Sequence, residues 1–510
     1  MSKYFGTDGF RGEANEGLTV EHAYRIGRFL GWYYGREHKC AVVIGKDTRR
    51  SSYMFENALS AGLTASGADA YLMHVTTTPS VSYIVRSDDF DCGIMISASH
   101  NPYTDNGIKL LNSAGEKMEQ SVIDEIENYL DGNLEIPFAT GANIGRTQDY
   151  SAGRNRYIGY LISLSTHSYK GMKVGLDCAN GSTWMMAKNI FDALGADTYV
   201  IGNEPDGTNI NRDCGSTHIE NLQKYVRLNR LDVGFAYDGD ADRCLAVDER
   251  GRMVDGDQIL YVCGVYLNKH GRLSGGTVVP TIASNFGLVK SLELAGLSAV
   301  TSGVGDRHVY AKMREGGYSL GGEQTGHTIF GDIERTGDGI MTSLRVMEVI
   351  RAERETLSQL TAPCKLLPQA QVMPRGRAAI SFNSLSTSYM MTVSVKASGA
   401  SPCADCFSAV ICSCASARST AYSSPMKQQS SEVSGQARPM PSPSSSRSAP
   451  HSARCSPPHT PQGTLMRNFS PSKSICSSLL PHSHCTIAPE AARAKRERCC
   501  ITGFLHLGHR

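Results

Sequence analysis

The chain has 510 residues, is 40% hydrophobic and 20% charged, and carries a net charge of +2. It contains no apolar run of about 18 residues, so no membrane partner is expected, and the near-neutral balance argues against a dedicated nucleic-acid binder. The opening Met1-Ser2-Lys3-Tyr4-Phe5-Gly6 has no apolar signal core, which points to a cytoplasmic protein.

Thr19 is placed to cap a helix that stops near Gly35. Ala41-Val42-Val43-Ile44-Gly45 and Cys92-Gly93-Ile94-Met95-Ile96 are short apolar runs that fit buried strands. Ser121 and Asp124 resemble a capping pair for a helix with Val122, Ile123, Ile126 and Leu130 on one face. A third buried run is Lys173-Val174-Gly175-Leu176-Asp177. After it, Ser182 can cap a helix carrying Met185, Met186, Ile190 and Leu194 and ending at Gly195; its methionines read as core. Two more runs, Val233-Gly234-Phe235-Ala236-Tyr237 and Thr277-Val278-Val279-Pro280, flank a hairpin-like Glu249-Arg250-Gly251-Arg252. This alternation predicts an α/β fold with mostly parallel sheets. Breaks at the polar stretch 131–156 and near Val254-Asp255-Gly256-Asp257 divide it into domains at 1–150, 151–253 and 254–372.

Residues 373–510 differ in kind. They hold 29 of the serines, 13 of the 20 prolines and 9 of the 16 cysteines, with 15 basic against 4 acidic residues. Between Cys412 and Thr464 the only Leu, Ile, Val or Phe is Val433, so no core can form there and a disordered tail is expected. Cys403, Cys406, Cys412 and Cys414 imitate a zinc knuckle, but no His pair at finger spacing follows them. The seven cysteines of the body are scattered and read as reduced thiols.

Four segments carry residues suited to chemistry. Ser97-Ala98-Ser99-His100-Asn101-Pro102 leaves a buried strand and enters a loop expected to turn at Asn101-Pro102 and Asn106-Gly107. Ser99 is a candidate nucleophile or phosphoryl carrier, His100 stands beside it, and Lys109 follows as a proton donor or base. Asp238-Gly239-Asp240-Ala241-Asp242-Arg243 places three carboxylates at alternate positions after a strand. They repel unless a cation sits among them, and oxygen donors of this kind suit Mg²⁺. A calcium EF-hand is rejected because Arg243 stands where that loop needs Gly; a solvated acidic turn is the plain alternative. Gly321-Gly322-Glu323-Gln324-Thr325-Gly326-His327 offers a backbone that a ligand could approach at Gly322. Glu323 and Thr325 could meet sugar hydroxyls, and His327 could shuttle a proton. Phe5-Gly6-Thr7-Asp8-Gly9-Phe10-Arg11-Gly12 surrounds one Arg with glycines and could aim it at a phosphate. No nucleotide-binding glycine motif occurs.

In order, spacing and wording, these four segments resemble the α-D-phosphohexomutase superfamily, as do Pro205-Asp206-Gly207-Thr208-Asn209-Ile210-Asn211 and Val304-Gly305-Asp306-Arg307. The resemblance covers residues 1–372. Gln324 favours the branch acting on glucosamine phosphates over the phosphomannose and phosphoglucose branch, where Met is usual. Thr325 replaces the usual Ser and keeps the hydroxyl. The resemblance implies three consecutive α/β phosphohexomutase-type domains. It makes Ser99 the phosphoserine and assigns Mg²⁺ to Asp238, Asp240, Asp242 and a phosphoserine oxygen. Lys109 and His327 would move protons, Arg11, His100 and Arg243 would support the phosphoryl centre, and Gly322, Glu323 and Thr325 would bind the sugar.

The implied reaction interconverts glucosamine 6-phosphate and glucosamine 1-phosphate. A bisphosphorylated hexose, glucosamine or glucose 1,6-bisphosphate, would be the activator, and the pathway would be amino-sugar nucleotide and cell-wall precursor synthesis. The partner is a small phosphosugar, and a homodimer is admitted. The family's fourth domain, with its phosphate-gripping loop, has no counterpart after Leu366-Leu367-Pro368-Gln369-Ala370-Gln371-Val372, and a reading-frame change near residue 372 is the simplest expectation. Rival readings are a phosphomannomutase/phosphoglucomutase, a Mg²⁺-dependent phosphatase, and a phosphosugar-binding remnant without turnover.

Overall fold

Three sheets follow one another along the chain in the computed structural model, which describes residues 3–369 and two short strands beyond them. The first contains β1 (Phe5–Gly6), β2 (Gly9–Glu13), β3 (Ala41–Lys46), β4 (Asp69–Val75), β5 (Cys92–Ile96), β6 (Asp105–Asn112) and β7 (Thr147–Asp149), in the order β1-β2-β6-β5-β3-β4-β7. The second contains β8 (Lys173–Asp177), β9 (Asp197–Ile201), β10 (Val233–Tyr237), β11 (Cys244–Asp248) and β12 (Met253–Val254), ordered β12-β11-β10-β8-β9. The third, ordered β14-β13-β15-β16, contains β13 (Thr277–Pro280), β14 (Ser298–Ala299), β15 (Leu320–Gly322) and β16 (Thr328–Phe330).

All five apolar runs are strands, and they sit where both faces of a sheet are covered. β5 and β10 are buried along their whole length. The sheets are nonetheless mixed. Each has a parallel centre (β4-β3-β5, β9-β8-β10, β14-β13-β15) and then turns back in an antiparallel hairpin: β5 to β6, β10 to β11, β15 to β16. β6 begins at Asp105, so Asn106-Gly107 is not the expected turn. Gly107 lies inside a strand because a side chain there would stand 2.5 Å from the Ser97 carbonyl oxygen.

Thr19 caps the helix Val20–Tyr34 as expected, its hydroxyl accepting from the His22 amide, and Gly35 ends it. The other two caps do not form. The helix Gln120–Leu130 starts without a side-chain cap, and Asp124 instead accepts from Gln120. Ser182 opens a 3₁₀ turn, Ser182–Met185, before a short helix Ala187–Ala193; its hydroxyl caps nothing, while its amide donates to the Gly239 carbonyl of the β10–β11 loop. Met186 is fully buried, as a core residue should be. The Glu249–Arg252 turn joins β11 to β12, with Asp248 accepting from the amides of Arg250 and Arg252.

Two cores sit on the opposite faces of the first sheet, one around Phe29, Phe55 and Ile94, the other around Val43, Met73 and Val81. A third runs continuously from Tyr157 and Phe191 through Phe235 to Val278, Met341 and Leu357, so the second and third sheets share one core. The helix Gly339–Glu353 lies in that shared core. All seven cysteines up to Cys364 are buried and free. Among the described residues no helix is long and apolar enough to cross a membrane. The expected disordered tail 373–510, with its cysteine pairs, lies outside the described residues, apart from an antiparallel pairing of Ala379–Ser381 with Ser394–Lys396.

Candidate active site

The three hairpin loops and the β1–β2 turn meet at one place. Ser99 follows β5 and is fully buried with a backbone φ of +53°, a left-handed conformation rare for a residue with a side chain. Its Oγ donates to Asp238 Oδ2 at 2.6 Å and lies 3.3 Å from His100 Nδ1. Gly239 allows this approach, since a side chain there would sit 2.5 Å from the Ser99 carbonyl oxygen.

Asp238, Asp240 and Asp242 are buried, and one oxygen of each lies within 4.8 Å of the others. Burial is the largest influence on all three, and it disfavours the charged form. Burial, then the charges of Asp242 and Asp240, pushes Asp238 well above the carboxylate range. Asp240 is raised by burial and Asp242. At Asp242 the burial is overridden by Lys109, His327 and Arg243, which hold it well below that range. Asp240 Oδ1 and Asp242 Oδ1 are buried with no hydrogen-bond partner. Three clustered carboxylates with two orphaned oxygens fit a hard divalent cation.

Lys109 lies in β6, not in a loop, and its ammonium donates to Asp240 Oδ2 at 2.6 Å and Asp242 Oδ2 at 2.9 Å. Its charge thus partly offsets the acidic cluster across the boundary between two sheets. Arg11 pairs with Asp8 in the β1–β2 hairpin, and its Nε has no partner. Arg243 Nε is likewise unpartnered, 3.8 Å from Asp242 Oδ1. Burial, then Arg243 and Arg11, pushes His100 down to about 4, so its imidazole is neutral at pH 7. His327 is buried and its Nε2 accepts the Gly337 amide at 3.0 Å. With Nε2 accepting, Nδ1 is the ring nitrogen placed to donate, and it faces Asp242 Oδ1 at 3.9 Å.

Two residues of the β15–β16 loop are also tied into the fold. Gly322 is buried inside β15, and the space of its missing side chain is filled by the His327 carbonyl, so that glycine serves hairpin packing. Gln324 points back to Asp255 at 3.1 Å. Glu323 is held by the Gly305 amide at 2.8 Å, and Thr325 is exposed.

Several residues of the site carried no signal in the sequence. Thr78 donates to Asp240 Oδ2 at 2.5 Å, and its amide bonds the Asp240 carbonyl. Lys117 spans from Asp8 Oδ1 (3.0 Å) to Asp306 Oδ1 (2.6 Å), linking the first sheet to the third. Burial pushes the Asp8 carboxyl up, but Lys109, Lys117 and Arg11 outweigh it and hold it low. Asp8, Lys109, Lys117, Asp242, Asp306 and Arg307 line one cavity.

Three family models cover this framework: phosphoglucomutase/phosphomannomutase alpha/beta/alpha domain I at residues 2–136, domain II at 155–251 and domain III at 255–366. The chain therefore belongs to the phosphoglucomutase/phosphomannomutase family, the phosphohexomutases, whose enzymes are phosphosugar mutases and isomerases. Within it, the chain is 64% identical over 373 residues to the phosphoglucosamine mutase of Lachnospira eligens, a match covering 72% of this chain and 83% of the relative. It is 65% identical over 370 residues to the phosphoglucosamine mutase of Lachnoclostridium phytofermentans, with the same coverage. Among solved structures, a phosphoglucomutase/phosphomannomutase family protein from Burkholderia thailandensis superposes with a TM-score of 0.61 at 25% identity, covering 73% of this chain and 82% of that one. The Paramecium phosphoglucomutase parafusin shares the fold at a TM-score of 0.55 and 17% identity, covering 70% and 73%.

Proposed function

We propose that the chain interconverts glucosamine 6-phosphate and glucosamine 1-phosphate, with Ser99 as the phosphate carrier. The observation that carries this reading is the 2.6 Å bond from Ser99 Oγ to Asp238, one of three carboxylates drawn from a neighbouring sheet. Mg²⁺ would be held by Asp238, Asp240, Asp242 and an oxygen on Ser99, and when bound it neutralises charge on the transferring phosphoryl group.

The protein's own groups then divide the work. Phosphoserine gives its phosphate to the sugar's free hydroxyl: an O–P bond to the sugar forms and the Ser99 Oγ–P bond breaks. The bisphosphorylated sugar reorients, and its other phosphate returns to Ser99. Each transfer needs a proton taken from the attacking hydroxyl and one given to the leaving oxygen. Lys109 and His327, through Nδ1, serve these proton transfers, and Asp238 is kept for the cation. Arg11, Arg243 and the neutral His100 surround the phosphoryl position, and the unpartnered Nε atoms of both arginines are free to donate to it. Glu323 and Thr325 bind sugar hydroxyls. Domain limits at 1–150, 151–253 and 254–372, a cytoplasmic setting, a homodimer and a place in amino-sugar nucleotide and cell-wall precursor synthesis belong to the same reading.

The test incubates the purified chain with glucosamine 6-phosphate, Mg²⁺ and trace glucose 1,6-bisphosphate. Glucosamine 1-phosphate, inorganic phosphate and phosphate bound at Ser99 are followed together. Isomerisation with phosphoserine supports the proposal. Phosphate release alone identifies a phosphatase, binding without turnover a remnant, and faster turnover of mannose or glucose phosphates the other branch.

A further inference from the structure

Ser99 is held in a strained conformation, and something must pay for it. The residues that do so lie outside the four motifs. At the end of β3, Asp47 and Arg49 are both wholly buried and paired, Arg49 Nε donating to Asp47 Oδ2 at 2.8 Å. A guanidinium has five N–H donors. The remaining four of Arg49 all go to main-chain carbonyls of the Ser99 loop. Nη2 reaches the Ser99 and Asn101 oxygens, each at 2.9 Å, and Nη1 reaches those of Pro102 and Asp105. No donor is left over, so the group has no capacity to bind substrate.

Asp47 acts on the other side of the same peptide. Its Oδ2 accepts from Ser97 Oγ at 2.7 Å, and that oxygen in turn accepts the Ser99 amide at 2.9 Å. Both main-chain groups of Ser99 are thus tied to one buried ion pair. The loop after β9 adds a third tie: Asn211, in the family-like 205–211 segment, donates to the Ser99 carbonyl at 2.9 Å.

We infer that Arg49, braced by Asp47, is a positioning residue that holds Ser99 left-handed so that Oγ faces the carboxylate cluster, with Ser97 and Asn211 completing the cradle. This rests on the reading of Ser99 as phosphate carrier. Arg rather than Lys is required, because an ammonium has three donors and no planar fork to span four carbonyls. Loss of the fork lets the loop relax toward ordinary backbone angles and moves Oγ off the cluster. The Asp240 and Asp242 oxygens and the sugar-binding loop are untouched.

The experiment uses the full chain and follows single-turnover uptake of phosphate from glucose 1,6-bisphosphate by intact mass, per folded molecule judged by circular dichroism. For Arg49→Lys, the maximal uptake rate should fall roughly 100-fold, the cost expected of a displacement near 1 Å. The half-saturating bisphosphate concentration should stay within about threefold, since no substrate contact is removed. A rate that falls no further than the folded fraction overturns the inference, as does a parallel loss of bisphosphate affinity. Ser97→Ala deletes one hydroxyl and decides the matter if Arg49→Lys does not fold: it should slow uptake at unchanged half-saturation, and a wild-type rate overturns the cradle. Ser99→Ala separates the two levels. Full phosphate uptake in that variant refutes the carrier reading, and with it this inference, whatever Arg49→Lys does.

Discussion

Asp240→Asn tests whether the carboxylate cluster exists for a cation. In the metal-free protein Asp240 faces Asp238 and Asp242 with oxygens no more than 4.8 Å apart. At an effective dielectric constant of about 20, the repulsion from Asp242 is about 3.5 kcal/mol at that limit, and Asp238, pushed toward its neutral form, adds a smaller share. Lys109 at 2.6 Å returns about 6 kcal/mol on the same scale. The charge terms come within a few kcal/mol of cancelling, so desolvation of a fully buried carboxylate decides, and it favours the neutral amide. The amide also fits: its oxygen can keep the bonds from Lys109 and Thr78, and its NH₂ takes the place of the orphaned Oδ1. Lys109 keeps Asp242 at 2.9 Å. The apo variant should therefore melt at or above the wild-type temperature. Its Mg²⁺ affinity should fall by at least the roughly 10- to 100-fold that even outer-shell losses cost. Calorimetric titration and melting curves with and without Mg²⁺ measure both. An apo variant less stable by more than about 2 kcal/mol would show that the Lys109 pair outweighs the repulsion, against the balance struck above. Unchanged Mg²⁺ affinity would leave the cluster as internal charge without a metal role.

Ser99→Ala should abolish both isomerisation and covalent phosphate, read by coupled assay and intact mass. Gly107→Ala forces a methyl to within 2.5 Å of the Ser97 carbonyl, which should cost about 1–3 kcal/mol of stability by denaturant titration and displace Lys109 two residues on. Glu334→Gln should flatten the pH dependence of stability. Burial, then the Asp338 charge, pushes Glu334 up to about 8 despite Arg86 at 3.0 Å. A carboxyl raised from 4.5 in the unfolded chain to about 8 in the fold keeps its proton there, so stability is lost as pH rises through that window. The ceiling is about 5 kcal/mol. Melting curves at pH 5 and pH 8.5 that run parallel in wild type and variant would show that Arg86 keeps the carboxylate charged throughout.

The legible part of this protein was its buried strands and the polar words directly after them. Apolar runs of four or five residues with no alternation are strands covered on both faces, and β3, β5, β8, β10 and β13 all announced themselves that way. Ser99, the three aspartates and His327 stood out because chemistry of that density is rare directly after a strand. β6 was hidden because Asn106-Gly107 is a turn word in isolation, and only the Ser97 backbone lying against Gly107 gives that glycine another reason. Ser182 forms no cap, and its amide instead makes a tertiary bond with Gly239 that no local pattern encodes. Thr78, Lys117, Arg49 and Asp47 were illegible for one shared reason. Each acts across a long sequence separation, Thr78 on a residue 162 positions away and Lys117 on one 189 away, and each looks alone like an ordinary surface or helix-start residue.

The topology explains why three polar words so far apart reach one point. A parallel strand normally leads into a crossover helix of a dozen or more residues, which carries the chain away. Here the third parallel strand of each centre turns back at once into an antiparallel partner, so each site loop is pinned at both ends by paired strands. Ile96 pairs with Ile108, Tyr237 with Cys244, and Gly322 with Thr328. A loop anchored this way has little freedom to drift, which suits phosphoryl transfer, where positioning supplies most of the catalysis. The loops are tied to one another by main chain, as where the Cys244 amide donates to the Gly326 carbonyl, and by side chains: Thr78 to Asp240, Lys109 to Asp240 and Asp242, Lys117 to Asp306, His327 to Asp242. Rigid loops with charged ties can open and close as bodies without deforming the loops themselves, and the reaction proposed above, in which the sugar turns between two transfers, would call for that combination.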